Sequence, residues 1–86
     1  MRVETINGRH LLCGHILRED QIERGQLWAS ADGSNRTVRV EGVADGWVHY
    51  SWVEHGRVVN HEKDCFAFQS RYCLILPGAD IPKELL

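Results

Sequence analysis

The sequence predicts a mainly β fold: a five-stranded antiparallel small barrel, preceded by an N-terminal hairpin or extension and followed by a short C-terminal helical turn. Three observations predict it. Val38 and Val40 alternate with Thr37, Arg39 and Glu41, while Val48, Tyr50 and Trp52 alternate with Trp47, His49 and Ser51. This is the period-2 pattern of strands with one buried face. Glycine-containing turns at Asp45-Gly46 and His55-Gly56 divide residues 36–61 into three strands. Finally, Tyr72, Cys73, Leu74, Ile75 and Leu76 form an almost unbroken apolar run closed by Pro77-Gly78. That run suits a last strand covered on both faces.

The register of the central meander follows from the division of its faces. A two-residue loop at Asp45-Gly46 alone would set Val40 against Ser51 and mix core with solvent residues. A three-residue loop, Ala44-Asp45-Gly46, sets Val43 against Trp47, Val40 against Tyr50 and Val38 against Trp52, with Gly46 in the left-handed region. This register is the expected one, and it makes Trp52 a core residue. In the second hairpin, a two-residue loop at His55-Gly56 pairs Glu54 with Arg57, Val53 with Val58 and Trp52 with Val59.

The remaining segments attach to this meander. Residues 3–6 and 9–12 around Asn7-Gly8 read as a hairpin, since Asn-Gly favours a two-residue turn. Residues 17–24 are polar apart from Leu17 and Ile22, and suit either a helical turn or a loop. Residues 26–30, carrying Leu27 and Trp28, are the expected first barrel strand, broken by Asp32-Gly33-Ser34-Asn35. Glu62-Lys63-Asp64 is expected to bend into Cys65, with Phe66 and Phe68 in the core and a short loop or 3₁₀ turn at residues 69–71. The expected organisation is one domain: an extension over residues 1–24, the barrel over 25–76, and a tail over 77–86 with a helical turn near Pro82.

Gly25-Gln26-Leu27-Trp28, Asp32-Gly33, Val38-Arg39-Val40 and Gly46-Trp47-Val48-His49-Tyr50, taken together, resemble the SH3-like (Tudor-like) small barrels of short phage and prophage proteins. The resemblance covers residues 25–76. It implies a binding role towards a host or phage macromolecule, such as inhibition or modulation of a host protein, and carries over no catalytic residue.

Composition narrows the function classes. At 86 residues there is room for one core. A hydrophobic fraction of 43% argues against disorder, and a net charge of −2 gives no overall basic bias towards nucleic acid. No secretory pattern opens the chain and no stretch reaches membrane-spanning length, so no membrane role is expected. Three cysteines cannot all pair within one chain. A reducing cytoplasm is therefore the expected setting, with no disulfide needed for folding.

Several constellations bear on chemistry. His10, Cys13, His15, His61, Cys65 and Cys73 lack paired knuckle spacing, so no metal or other cofactor is expected. Cys65 with His61 lacks a third group to orient the histidine, so no enzyme is expected. Arg36, Arg39, Arg57, Lys63 and Arg71, with Trp47 or Tyr72, compose a stacking surface with a basic rim. Glu41, Glu54, Glu62 and Asp64 interrupt it, which leaves nucleic acid as the second reading. A methyl-lysine cage is short of aromatics if Tyr50 and Trp52 point inward. The leading reading is a non-catalytic protein-binding module acting through the outer sheet face. That face is expected to carry Val43, Trp47, Val53 and Val58 beside Arg39, Glu41, His49, Ser51 and Asn60. Trp47, His49, Arg39, Val53 and Val58 are its candidate binding residues, for a protein partner or a second copy. Residues 1–17 folding back over the face would be the structural alternative.

Overall fold

The described residues form seven strands and one α-helix: β1 (Arg2–Ile6), β2 (Arg9–Cys13), β3 (Leu27–Ser30), β4 (Thr37–Ala44), β5 (Trp47–Glu54), β6 (Arg57–Asp64), α1 (Cys65–Arg71) and β7 (Tyr72–Leu76). The computed structural model describes residues 2–6, 9–13, 17–31 and 36–76, with residues 2–6 and 9–10 described by backbone path alone. The expected C-terminal helical turn lies outside the described residues. All strands are antiparallel in one sheet of order β1-β2-β7-β3-β4-β5-β6. The mainly β class stands, while a closed five-stranded barrel does not. Among the described residues no ladder joins β6 to the opposite end, so the sheet is open, and β2 adds β1 to it by pairing with β7.

The β4–β5 hairpin corrects the expected loop and keeps the expected core register. Asp45 (φ 53°) and Gly46 (φ 79°) are both left-handed, which makes a two-residue turn with Ala44 opposite Trp47 and Val43 opposite Val48. Between Gly42 and Val40 the register shifts by one residue at Glu41, a β-bulge, and Val40 then faces Tyr50. The bulge does the work assigned to the third loop residue. Ser51 fixes it by donating its hydroxyl to Glu41 Oε1 at 2.7 Å. One consequence is that Val43 turns inward and packs against the core rather than lying on the outer face. The β5–β6 hairpin has the expected pairs Glu54–Arg57, Val53–Val58 and Trp52–Val59 around left-handed His55 and Gly56. In the first hairpin Ile6 pairs with Arg9, while the turn expected at Asn7-Gly8 lies outside the described residues.

The main core gathers Ile22, Trp28, Val38, Val40, Val48, Tyr50, Phe68 and Tyr72. Its centre is aromatic: Phe68 lies 5.0 Å from both Trp28 and Tyr50 and 5.1 Å from Tyr72, ring centre to ring centre. Phe68 is delivered by α1 to the core as expected, whereas Phe66 is not in the core and residues 69–71 belong to the helix rather than to a short loop or 3₁₀ turn. Residues 62–64 continue β6, and Asp64 then caps the helix by accepting from the Ala67 amide at 2.9 Å. Helical rather than strand geometry sends Phe66 and Phe68 to different sides. Phe68 is fully buried and Phe66 is 67% exposed. Trp52 also departs from expectation, since it is half-buried at the rim of the core.

Polar ties fix the elements around this core. The Gln69 side chain bridges Leu17 as a strand would, accepting from its N–H at 2.5 Å and donating to its carbonyl at 2.9 Å. A 3₁₀ turn at Glu19–Gln21 sends Glu19 to the Gly46 amide at 3.1 Å, and the Cys65 amide donates to the Gly46 carbonyl at 2.8 Å. Cys13 and Cys73 form a disulfide, a pairing that the sequence, from which no disulfide is expected to be needed for folding, does not single out. They continue the β2–β7 register beyond Leu12–Leu74, so the two Cα atoms lie 4.8 Å apart, within bridging range. Cys65 is the free thiol.

Candidate functional site

The inner side of the β5–β6 hairpin extends beyond the main core and, with α1 and the ends of β3 and β7, shapes a cleft. Strand alternation places Tyr50 and Trp52 of β5 on one face with their cross-strand partners His61 and Val59, and Lys63 on the same face opposite Val48. Arg71 closes α1 and Tyr72 opens β7 opposite Ser30 of β3. Arg36 leads into β4, where its guanidinium lies 4.4 Å from the Trp52 ring centre. The resulting cleft measures about 240 Å³ and is lined by Ser30, Arg36, Tyr50, Trp52, His61, Lys63, Arg71 and Tyr72.

The electrostatics of this cleft are one-sided. Three permanent cations line it, and among the described residues no carboxylate does. Nor does a carboxylate of the described residues pair with Arg36, Lys63 or Arg71, the ion pairs there being Arg18–Asp20 and His49–Glu62. Beside the lining, Glu54 accepts from Trp52 Nε1 at 3.4 Å. Tyr50 stacks on Trp52 with ring centres 5.9 Å apart, and His61 meets Tyr50 edge-on at 5.7 Å. The Trp52 ring thus contacts both Tyr50 and the Arg36 guanidinium, the latter in a cation–π contact. Burial pushes the Tyr50 hydroxyl well above its ordinary range; Tyr72 adds to the rise through its charge and hydrogen bond, against the opposing pull of Arg36 and Arg71. Tyr50 therefore stays neutral at physiological pH.

The cleft combines residues that sequence reasoning held apart. Arg36, Lys63, Arg71 and Tyr72 belonged to the expected basic and aromatic surface, and they converge. Arg39 lies on the opposite face, opposite Ser51, and Arg57 lies beside the hairpin tip opposite Glu54. Trp52 takes the place proposed for Trp47. The signal for it was available in the period-2 pattern, which puts Trp52 on the Tyr50 side, but alternation does not show where along a strand the core ends.

The outer face is less coherent than expected. Trp47 is 46% exposed, and Val53 and Val58 are 71% and 67% exposed. Trp47 and Val53 stand six residues apart on β5, roughly 20 Å along the strand. His49 and Ser51 lie between them, with cross-strand partners Glu62 and Asn60. His49 Nδ1 lies 3.3 Å from a Glu62 oxygen, and Ser51 is bonded to Glu41. The apolar residues sit at opposite ends of a polar stripe, with Val43 removed to the core. Arg39 is exposed on the same face. The β1–β2 hairpin joins the sheet laterally through β7 and leaves these side chains uncovered.

The other candidate chemistry is dispersed. Among the described residues no three His, Cys, Asp or Glu side chains gather as metal ligands. Cys13 and Cys73 are bonded to each other. Cys65 packs against the main core, and its thiol is pushed up by burial first and then by the Glu19 and Asp64 carboxylates, the reverse of what activates a nucleophile. No helix of the described residues is long and apolar enough to cross a membrane. The chain matches no family model, no curated protein and no solved structure.

Proposed function

We propose that this chain is a non-catalytic binding module that takes a single-stranded nucleic acid segment in the Arg36–Lys63–Arg71 cleft. The observation that carries this reading is the convergence of three cations and three aromatic rings with, among the described residues, no lining carboxylate. Single-strand binders combine a positive groove for the backbone with rings or guanidinium planes for the bases. Arg36 is suited to both, since its guanidinium lies over Trp52 and it lines the cleft with Lys63 and Arg71. The net charge of −2 is no obstacle, because a ligand meets the local field. The strand order β7-β3-β4-β5-β6, with α1 before the last strand, supports reading residues 25–76 as an SH3-like small barrel with one seam open. On that reading the phage resemblance fits a module acting on a host or phage macromolecule in the cytoplasm.

Fluorescence anisotropy with labelled oligothymidylate tests it. Engagement of three phosphates should make log Kd rise with log salt concentration with a slope of about 2, and Lys63→Ala with Arg71→Ala should flatten that slope. Binding that ignores both salt and the paired substitution would reject the reading. A protein partner on the outer face is the second reading, favoured by the exposure of Trp47 at 46%. Trp is the residue type most enriched among interface anchors.

A further inference from the structure

The disulfide joins the β1–β2 hairpin to the rest of the sheet at the end of the β2–β7 ladder. Of the hairpin's described side chains, Leu11, Leu12 and Cys13, none belongs to the main core. The hairpin is held by its β2–β7 ladder, by buried Leu12, and by a separate small cluster of Leu11, Cys13 and Cys73 with Ala29 and Ile75. Two of the three buried members of that cluster are the bridged cysteines themselves. A two-stranded hairpin alone is marginal in water, so much of its attachment depends on this bond.

The same bond lies one residue from the cleft. Cys73 follows Tyr72 on β7; Tyr72 pairs with Ser30 and Cys73 with Ala29 on β3. Ser30 and Tyr72 both line the cleft, and the Ala31 amide donates to the Arg71 carbonyl at 2.9 Å. The strand that positions Tyr72 is thus braced on one side by β3 and on the other by the bridged β2.

We propose that Cys13 and Cys73 form a redox clasp: oxidation locks the β1–β2 hairpin onto β7 and tightens the cleft, and reduction releases the hairpin and loosens it. The effect on the cleft rests on the nucleic-acid reading above, whereas the release of the hairpin does not. In a reducing compartment the pair rests as two thiols, and a low-molecular-weight disulfide closes it. The thiolate of one cysteine attacks the reagent, forming a mixed disulfide and expelling one thiolate. The second cysteine attacks the protein-side sulfur of that bond and expels the other thiolate. Two electrons pass to the reagent, and the two protons given up by Cys13 and Cys73 end on the two released thiols. A dithiol reverses the sequence by the same exchange. Cys13 and Cys73 are 5% and 4% exposed, so either reagent must enter through local opening of the β2–β7 seam.

The test compares the full chain after treatment with glutathione disulfide and with dithiothreitol. Intact mass, with a shift of two hydrogens, identifies the two forms. Hydrogen exchange and oligothymidylate affinity are then measured on each. Reduction should speed exchange in Leu11–Cys13 and Leu74–Leu76 by about tenfold or more, leave the centres of β4 and β5 protected, and weaken the oligonucleotide several-fold. Cys13→Ser should hold the chain in the released state under both treatments; if this variant does not fold, the reduced natural chain supplies the same comparison. Equal exchange in the two forms, or failure of the pair to oxidise, overturns the clasp. Faster exchange with unchanged affinity overturns its link to the cleft. Absence of oligonucleotide binding in both forms overturns the nucleic-acid reading, and the exchange data then decide the clasp by themselves.

Discussion

The β1–β2 hairpin and the β3–β7 body belong to one sheet but are held by different means. The body is secured by burial: six of its side chains, Trp28, Tyr50, Phe68, Val38, Val40 and Val48, lie below 2% exposure or close to it and contact one another around Phe68. The hairpin buries Leu11, Leu12 and Cys13 in or beside a small secondary cluster and relies on a ladder and a covalent bond. Burial of apolar surface acts wherever the chain folds. A disulfide acts only where the surroundings permit oxidation. The difference predicts that one part of the molecule responds to redox conditions while the other does not.

The sharpest way to break this comparison is to empty the body's core. Phe68→Ala removes the ring that Trp28, Tyr50 and Tyr72 all touch, and should cost about 3–5 kcal/mol in chemical denaturation. A two-stranded hairpin alone is marginal in water, so both regions should unfold together. A variant that loses the body's near-ultraviolet aromatic signal yet keeps hairpin protection would show the two to be independent.

A smaller effect, confined to the body, comes from alkaline pH. Tyr50 ionises less readily folded than unfolded, because burial and Tyr72 both raise its folded pKa. Below the unfolded value of about 10 the hydroxyl is neutral in both states and pH has no effect through it. Above that value the unfolded chain gives up the proton and the folded chain does not, so the unfolded state is favoured and stability falls as pH rises. Denaturation midpoints measured from pH 8 to pH 11 should decline at the upper end for the natural chain and decline less for Tyr50→Phe. Equal declines would place the alkaline sensitivity elsewhere.

Much of the body could be read from its residues, and the failures have specific causes. The β5–β6 register was legible because alternation and a two-residue turn left one pairing that kept faces consistent. In β4–β5 a three-residue loop and a two-residue loop with a bulge give the same register beyond Val40, and nothing in Glu41-Gly42 distinguishes them in advance. The choice decided the side of Val43, and with it the apparent size of the outer apolar patch. Phe66 and Phe68 fit a strand by spacing, while the Asp64 cap that starts a helix depends on side-chain placement. The disulfide joins residues separated by 60 positions, and an odd count shows only that one thiol is left over. The basic residues of the cleft were legible as candidates. Their convergence was not, because it requires β7 to lie beside β3 and the hairpin to outrun the core.

Trp47 provides the smallest expected effect on stability and the clearest separation of the two partner readings. It starts β5 on the outer face, opposite Ala44 and Asp64, and is 46% exposed. Neither the main core nor the cluster under the hairpin includes it. Trp47→Ala should therefore shift the unfolding free energy by no more than about 0.5 kcal/mol, the range for surface positions, and leave oligothymidylate affinity unchanged. If the outer face carries a protein partner, the same variant should lose that interaction while its melting temperature holds, since truncating an interface tryptophan costs about 2 kcal/mol or more of binding. A loss of oligonucleotide affinity in Trp47→Ala would instead move the nucleic-acid surface from the cleft to the outer face. A drop in melting temperature would mean that Trp47 is covered in solution by a part of the chain outside the described residues. Melting and anisotropy on one preparation therefore decide which side of the sheet binds.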